Sequence, residues 1–115
     1  MDDLGQKPEG SLPFVLSLPA DGVEYHEILK PPQSVAMRSG LVVLDCGEEV
    51  GSHSTRANEE LLVVLDGIGE VEIEGENVQK IQKGCVAYIP PATVHNVFNV
   101  GTEPLRYLYI VSCVK

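Results

Sequence analysis

Neutral imidazole and carboxylate are side chains that Zn, Fe, Mn, Ni and Cu accept as ligands, and two of the chain's three histidines lie with a glutamate between Gly47 and Asn99. The first half of that stretch reads Gly47, five residues, His53, one residue, Thr55, four residues, Glu60, six residues, Gly67. The second half reads Gly84, five residues, Pro90, one residue, Ala92, two residues, His95, three residues, Asn99. Alternate side chains on a strand share a face, so His53 and Thr55 are expected to point the same way. Glu60 joins them if it opens the next strand of an antiparallel pair, folding back over the first. His95 has to come from elsewhere.

These two motifs resemble those of the cupin superfamily, with every spacing kept and two positions changed. Thr55 stands where the family has a second histidine, and Ala92 where it usually has glycine. The resemblance runs over roughly residues 38 to 111 and includes the stretch from Asn99 through Gly101 and Pro104 to Arg106. It implies a small antiparallel double-sheet jelly-roll barrel with the site in its mouth. Carried over position by position, it implies His53, Glu60 and His95 as three of the four metal ligands, with Thr55 replacing the fourth. A threonine hydroxyl ligates divalent transition metals poorly. The protein would therefore supply two nitrogens and one carboxylate, the composition found in non-haem iron oxygenases and in catalytic zinc sites with an open position.

The implied cofactor is a divalent transition metal, Zn, Fe, Mn or Ni, and the implied partner a small-molecule ligand. Arg38, on a strand before the first motif, resembles positions that hold substrate carboxylates in some cupins; a solvated arginine is its ordinary alternative. Tyr88, Tyr107 and Tyr109 are candidates to line the pocket, although strand tyrosines are commonly packed. Asn99 is expected to secure a turn, and His26, which matches neither motif, to lie on the surface. Two functions of different class stay open, because cupins include isomerases, epimerases, dioxygenases, decarboxylases, storage proteins and sugar-sensing domains. One is a metal-dependent isomerase or dioxygenase acting on a small oxygenated metabolite. The other is a non-catalytic binding or sensing module for a sugar-like ligand, with the metal structural or absent.

The elements that must position these residues read as all-β. No segment holds ten residues of helical periodicity, and short apolar runs alternate with Gly/Pro turns, as in an antiparallel sandwich or barrel. Residues 1–11 are polar and punctuated by Gly and Pro, and are expected to be a flexible N-terminal segment before a single domain at 12–115. The apolar run from Leu12 to Pro19, bounded by prolines, reads as an edge strand able to lie on a neighbouring subunit. A strand follows from Val23 to Lys30, then one or two from Ser34 to Cys46 with a bend or bulge near Gly40. Leu41 to Leu44 and Leu61 to Leu65 are apolar on both faces and need cover on both. Glu60 opens the second of these rows, where a buried carboxylate needs a cation or donors. Asp66-Gly67 signals a tight turn. Two-sided apolar strands in so short a chain predict a homodimer.

Composition bounds the partners. Seventeen acidic against eight basic residues give a net charge of −9, which argues against nucleic acid and anionic membranes. Residues 1–11 show no secretory pattern, and the chain has no run of about 18 apolar residues, so a cytoplasmic location is expected. Cys46, Cys85 and Cys113 form no CxxC pair and read as reduced thiols, two or three of them buried. Cys85 follows Gly84 at a position where many cupins have aspartate, which would allow a thiolate near the site. Its neighbours Val86 and Ala87 favour a packed cysteine instead.

Overall fold

The computed structural model describes Gly5 and residues 11–113, and the expected flexible segment at 1–11 lies, apart from Gly5 and Ser11, outside them. Nine strands follow in order: β1 (Tyr25–Leu29), β2 (Met37–Leu44), β3 (His53–Ser54), β4 (Asn58–Asp66), β5 (Ile68–Ile73), β6 (Asn77–Gln82), β7 (Val86–Ile89), β8 (Val94–Asn99) and β9 (Leu105–Cys113). They form a five-stranded sheet, β1-β2-β9-β4-β7, and a four-stranded sheet, β3-β8-β5-β6, with every pairing antiparallel. The fold is an all-β double-sheet jelly-roll barrel. Among the described residues no helix is long and apolar enough to cross a membrane.

Register sets what faces the interior. Across the five-stranded sheet, Arg38, Val111, Glu60 and Ile89 share one row, and Gly40, Tyr109, Leu62 and Ala87 share the next. The third row holds Tyr25, Val42, Tyr107 and Val64. From the other sheet Val71, Ile81 and Val97 meet Leu44, Leu62, Val64, Ile89, Leu105 and Tyr107 in one core. Each aliphatic side chain fully buried there contributes about 1.5–3 kcal/mol. This apolar floor leaves the rim free for polar chemistry.

Several local expectations are corrected. Leu12 to Pro19 forms no strand; proline at 13 and 19 removes donors, and Val15 is 99% exposed. The irregularity expected near Gly40 falls on the partner strand, between Glu27 and Leu29, while β2 pairs with β9 without interruption. The Asp66-Gly67 turn joins strands of different sheets and so makes a barrel corner. Gly67 has φ +93°, and a Cβ there would lie 2.6 Å from the Pro104 carbonyl oxygen. Cys46 and Cys113 are exposed, Cys85 is half-buried against the core, and His26 is half-buried.

Candidate metal centre

His53 and His95 sit directly opposite each other on β3 and β8, with ring centroids 4.2 Å apart and planes tilted by 56°. His53 Nδ1 is 2.8 Å from the Gly51 carbonyl oxygen, and His95 Nδ1 is 3.2 Å from that of Thr93. A carbonyl only accepts, so each Nδ1 carries a proton, and Nε2 is the nitrogen of each ring left to take either a second proton or a cation. Glu60, from β4 in the opposite sheet, brings Oε1 to 3.2 Å from His95 Nε2. Ligand atoms of the three side chains all lie within 4.8 Å of one another. This donor set fits a divalent transition metal: two preoriented imidazole nitrogens and a carboxylate, with backbone carbonyls behind the rings.

The expected route for Glu60 is corrected here. It does not fold back over His53 as the second strand of a hairpin, because β3 and β4 belong to different sheets. The three side chains converge only because the barrel closes.

Burial is uneven across the set. His95 is 2% exposed and the Glu60 side chain 12%, whereas His53 is exposed, so the centre opens on the His53 side. Burial by itself lowers the proton affinity of His95. The hydrogen bond to Glu60, the Thr93 carbonyl and the Glu60 charge outweigh it, and the balance lies above the ordinary histidine value.

Thr55 is buried with its hydroxyl committed elsewhere. Oγ1 donates to the Pro90 carbonyl at 2.7 Å and accepts from the Thr93 amide at 3.1 Å. It thus ties the end of β3 to the turn that launches β8. Ala92 in that turn has φ +56°, which explains the preference for glycine at this position. Asn96, which the sequence did not single out, anchors the other approach: its Oδ1 accepts from Gly51 N at 2.8 Å, and its Nδ2 donates to Glu49 at 2.9 Å. Only its place beside His95 hinted at this. Asn99 secures a turn as expected, donating to the Leu44 and Glu103 carbonyls and accepting from Gly101 N.

A cavity of ≈ 520 Å³ adjoins the centre, and Thr55, Arg38, Tyr107 and Tyr109 line it together with His53, Glu60 and His95. Val42, Leu62, Val97 and Val111 supply its apolar wall. Tyr107 is buried, and burial with the nearby Glu60 charge pushes its hydroxyl well above the usual tyrosine range. Arg38 stands exposed at the rim. The structure adds Tyr25 and Glu24, which the sequence reading had assigned to no face. Tyr88 is excluded: Ile89 and Ala87 share the inner face with Glu60 and Leu62, so Tyr88 points outward and donates to Glu59 at 2.7 Å. Cys85 takes no part in the cluster or the cavity lining. A larger cavity of ≈ 790 Å³, bounded by residues 20–24, 66–68 and 101–104, contains no histidine.

Residues 40–111 match the cupin domain family. An uncharacterized protein of Methanocaldococcus jannaschii is 30% identical over 90 residues, covering 76% of this chain and 71% of that protein. Among solved structures, a cupin protein from Bacteroides fragilis superposes with a TM-score of 0.76 at 24% identity, over 87% of this chain and 83% of that one. The Schizosaccharomyces pombe Cnp3 cupin domain gives a TM-score of 0.72 at 20% identity over 78% of this chain, which spans 64% of its length. A putative sugar phosphate isomerase from Acidithiobacillus ferrooxidans gives 0.60 at 28% identity over 70% of this chain, which spans 52% of its length.

Proposed function

The chain belongs to the cupin superfamily, and from that premise we propose that it holds one divalent transition metal on His53, Glu60 and His95 and acts on a small oxygenated metabolite in the barrel mouth. The single observation that carries this is the convergence of two rings, each with Nδ1–H on a backbone carbonyl, and the Glu60 carboxylate, with ligand atoms of all three within 4.8 Å of one another. Bound there, such an ion supplies Lewis-acid polarisation of a substrate oxygen or, for iron, redox chemistry with dioxygen. Glu60 offsets part of the cation's charge, and the apolar wall of Leu62, Val97 and Val111 limits water. Tyr107, held as the neutral phenol, offers a hydroxyl donor from the adjoining wall. Isomerase and dioxygenase are the reaction classes these groups suit, and the likeness to a putative sugar phosphate isomerase supports the first.

A second reading has its own support. With His95 protonated, its Nε2–H donates to Glu60 and satisfies both side chains without an ion, which suits a small-ligand, sugar-like binding or sensing module. The two separate by metal per chain after equilibration with Zn, Fe, Mn and Ni at equal free concentration. Near one equivalent in the wild-type protein supports the metal reading. An empty wild-type protein, with Thr55→His alone gaining a site, supports the binding module. We further read the protein as a cytoplasmic homodimer, supported by the exposed apolar side chains Met37 and Val86 on the five-stranded sheet and by the exposed run Leu12 to Leu16.

A further inference from the structure

The five-stranded wall of the cavity carries polar groups that the metal centre does not use. The hydroxyls of Tyr25 and Tyr109 are hydrogen-bonded to each other, and their rings stack with centroids 6.2 Å apart and planes 16° from parallel. Gly40 is their seat. A Cβ at that position would lie 2.8 Å from Tyr109 Cε2 and from the Tyr25 hydroxyl oxygen, so space rather than backbone conformation requires glycine. In such a pair one hydroxyl donates to the other, which leaves a single O–H hydrogen for a third group. Burial first, and then the bond to Tyr25, push the Tyr109 hydroxyl up, so the pair remains a donor at neutral pH.

Arg38 lies one register row away, facing the same cavity, and has no ion-pair partner among the described residues. Among the described residues it is the only lysine or arginine in the cavity lining. Arg38 and Glu60 flank Val111 in one row, two strand spacings or about 10 Å apart at the backbone. Free donors thus stand at one end of the cavity and the metal-binding side chains at the other.

We propose that the Tyr25–Tyr109 pair, seated on Gly40, forms with Arg38 an oxyanion-recognising subsite, so that the cavity's ligand is a small bifunctional acid. A carboxylate or phosphate engages this end, where the guanidinium fork matches its geometry. A second oxygen function points toward His53, Glu60 and His95. The second half of this assignment rests on the metal reading above; the subsite does not. Among the described residues the charged lining groups are Arg38 against Glu24 and Glu60, a balance that a loaded divalent ion would shift further in favour of anions.

The test titrates malonate, succinate, glutarate and inorganic phosphate into metal-free and Mn-loaded protein, with metal content measured on the same samples. Calorimetry reports binding, and so does tyrosine fluorescence: the chain has no tryptophan, and of its four tyrosines Tyr25, Tyr107 and Tyr109 line this cavity. At least one probe should bind, more tightly when metal is present. Arg38→Gln should weaken it about tenfold or more, as loss of a charge-assisted pair does. Arg38→Lys should recover part of the loss, and Tyr25→Phe, Tyr109→Phe and Gly40→Ala should each weaken binding several-fold. Metal content should stay unchanged throughout. Preference for phosphate or for one dicarboxylate length identifies the oxyanion. Binding that ignores Arg38 and both tyrosines, or no binding of any probe to either form, overturns the subsite. Protein that takes up no metal yet binds through Arg38 would instead leave the subsite standing and overturn the metal reading.

Discussion

Glu60 and His95 meet across the barrel from different sheets, with Oε1 and Nε2 3.2 Å apart and both side chains largely withdrawn from water. Neither is part of the apolar core cluster, so although truncating the buried His95 leaves a void beside the cavity, the core contacts themselves stay in place. His95→Ala is therefore expected to abolish metal uptake while leaving a folded barrel. Metal analysis and circular dichroism of the same sample check it. Full retention of metal would remove His95 from the ligand set.

The pH dependence has opposite signs with and without metal. In the metal-free protein His95 binds its proton more tightly folded than unfolded. The resulting stability is full below the ordinary histidine range, provided Glu60 is ionised, and is lost as pH rises through the raised folded value. Metal binding runs the other way, because a protonated imidazole has no lone pair to give, so metal affinity falls as pH drops below that raised value. Thermal melts and metal retention against pH should show these opposed trends, and His95→Gln should flatten the first. Parallel trends in the wild-type protein would contradict the assignment.

Thr55 clamps Pro90 and Thr93, so its removal should be felt as instability before anything else. Thr55→Val leaves a buried amide and a part-buried carbonyl without their partner and should cost about 1–3 kcal/mol, with Thr55→Ser close to wild type. Thr55→His should tighten metal binding by adding a nitrogen at the cavity and lower the melting temperature by losing the clamp. Denaturant titration and metal affinity, measured on all three variants, separate the two effects.

Ala92 holds a left-handed backbone conformation that costs a side-chain-bearing residue about 1 kcal/mol or more. Ala92→Gly is expected to recover roughly that amount, reduced by the added freedom of the unfolded chain. A destabilised variant in chemical denaturation would show that the turn takes another conformation.

Outward-facing Met37 and Val86 and the uncovered Val15 predict self-association. Light scattering at micromolar concentration should report a dimer, and Val86→Lys should shift it toward monomer. A wild-type monomer at that concentration would contradict the dimer.

The period-two alternation and Gly/Pro punctuation determined the all-β class, since a strand exposes opposite faces in turn and turns need special backbone angles. Motif spacing likewise picked out His53, Glu60 and His95. It did not decide how Glu60 reaches the histidines, because strand pairing is a long-range choice that local pattern does not encode. The same limit misread Leu12 to Pro19, where apolar character promised a strand but no partner edge lies alongside. Tyr88 failed for a related reason: a strand apolar on both sides carries no periodic signal of which face is inward, and only the register of Ile89 opposite Glu60 decides it. Gly40 looked like a bulge from sequence and proved to be a seat for two tyrosines, since a close approach between residues 25, 40 and 109 exists only once β1, β2 and β9 lie side by side.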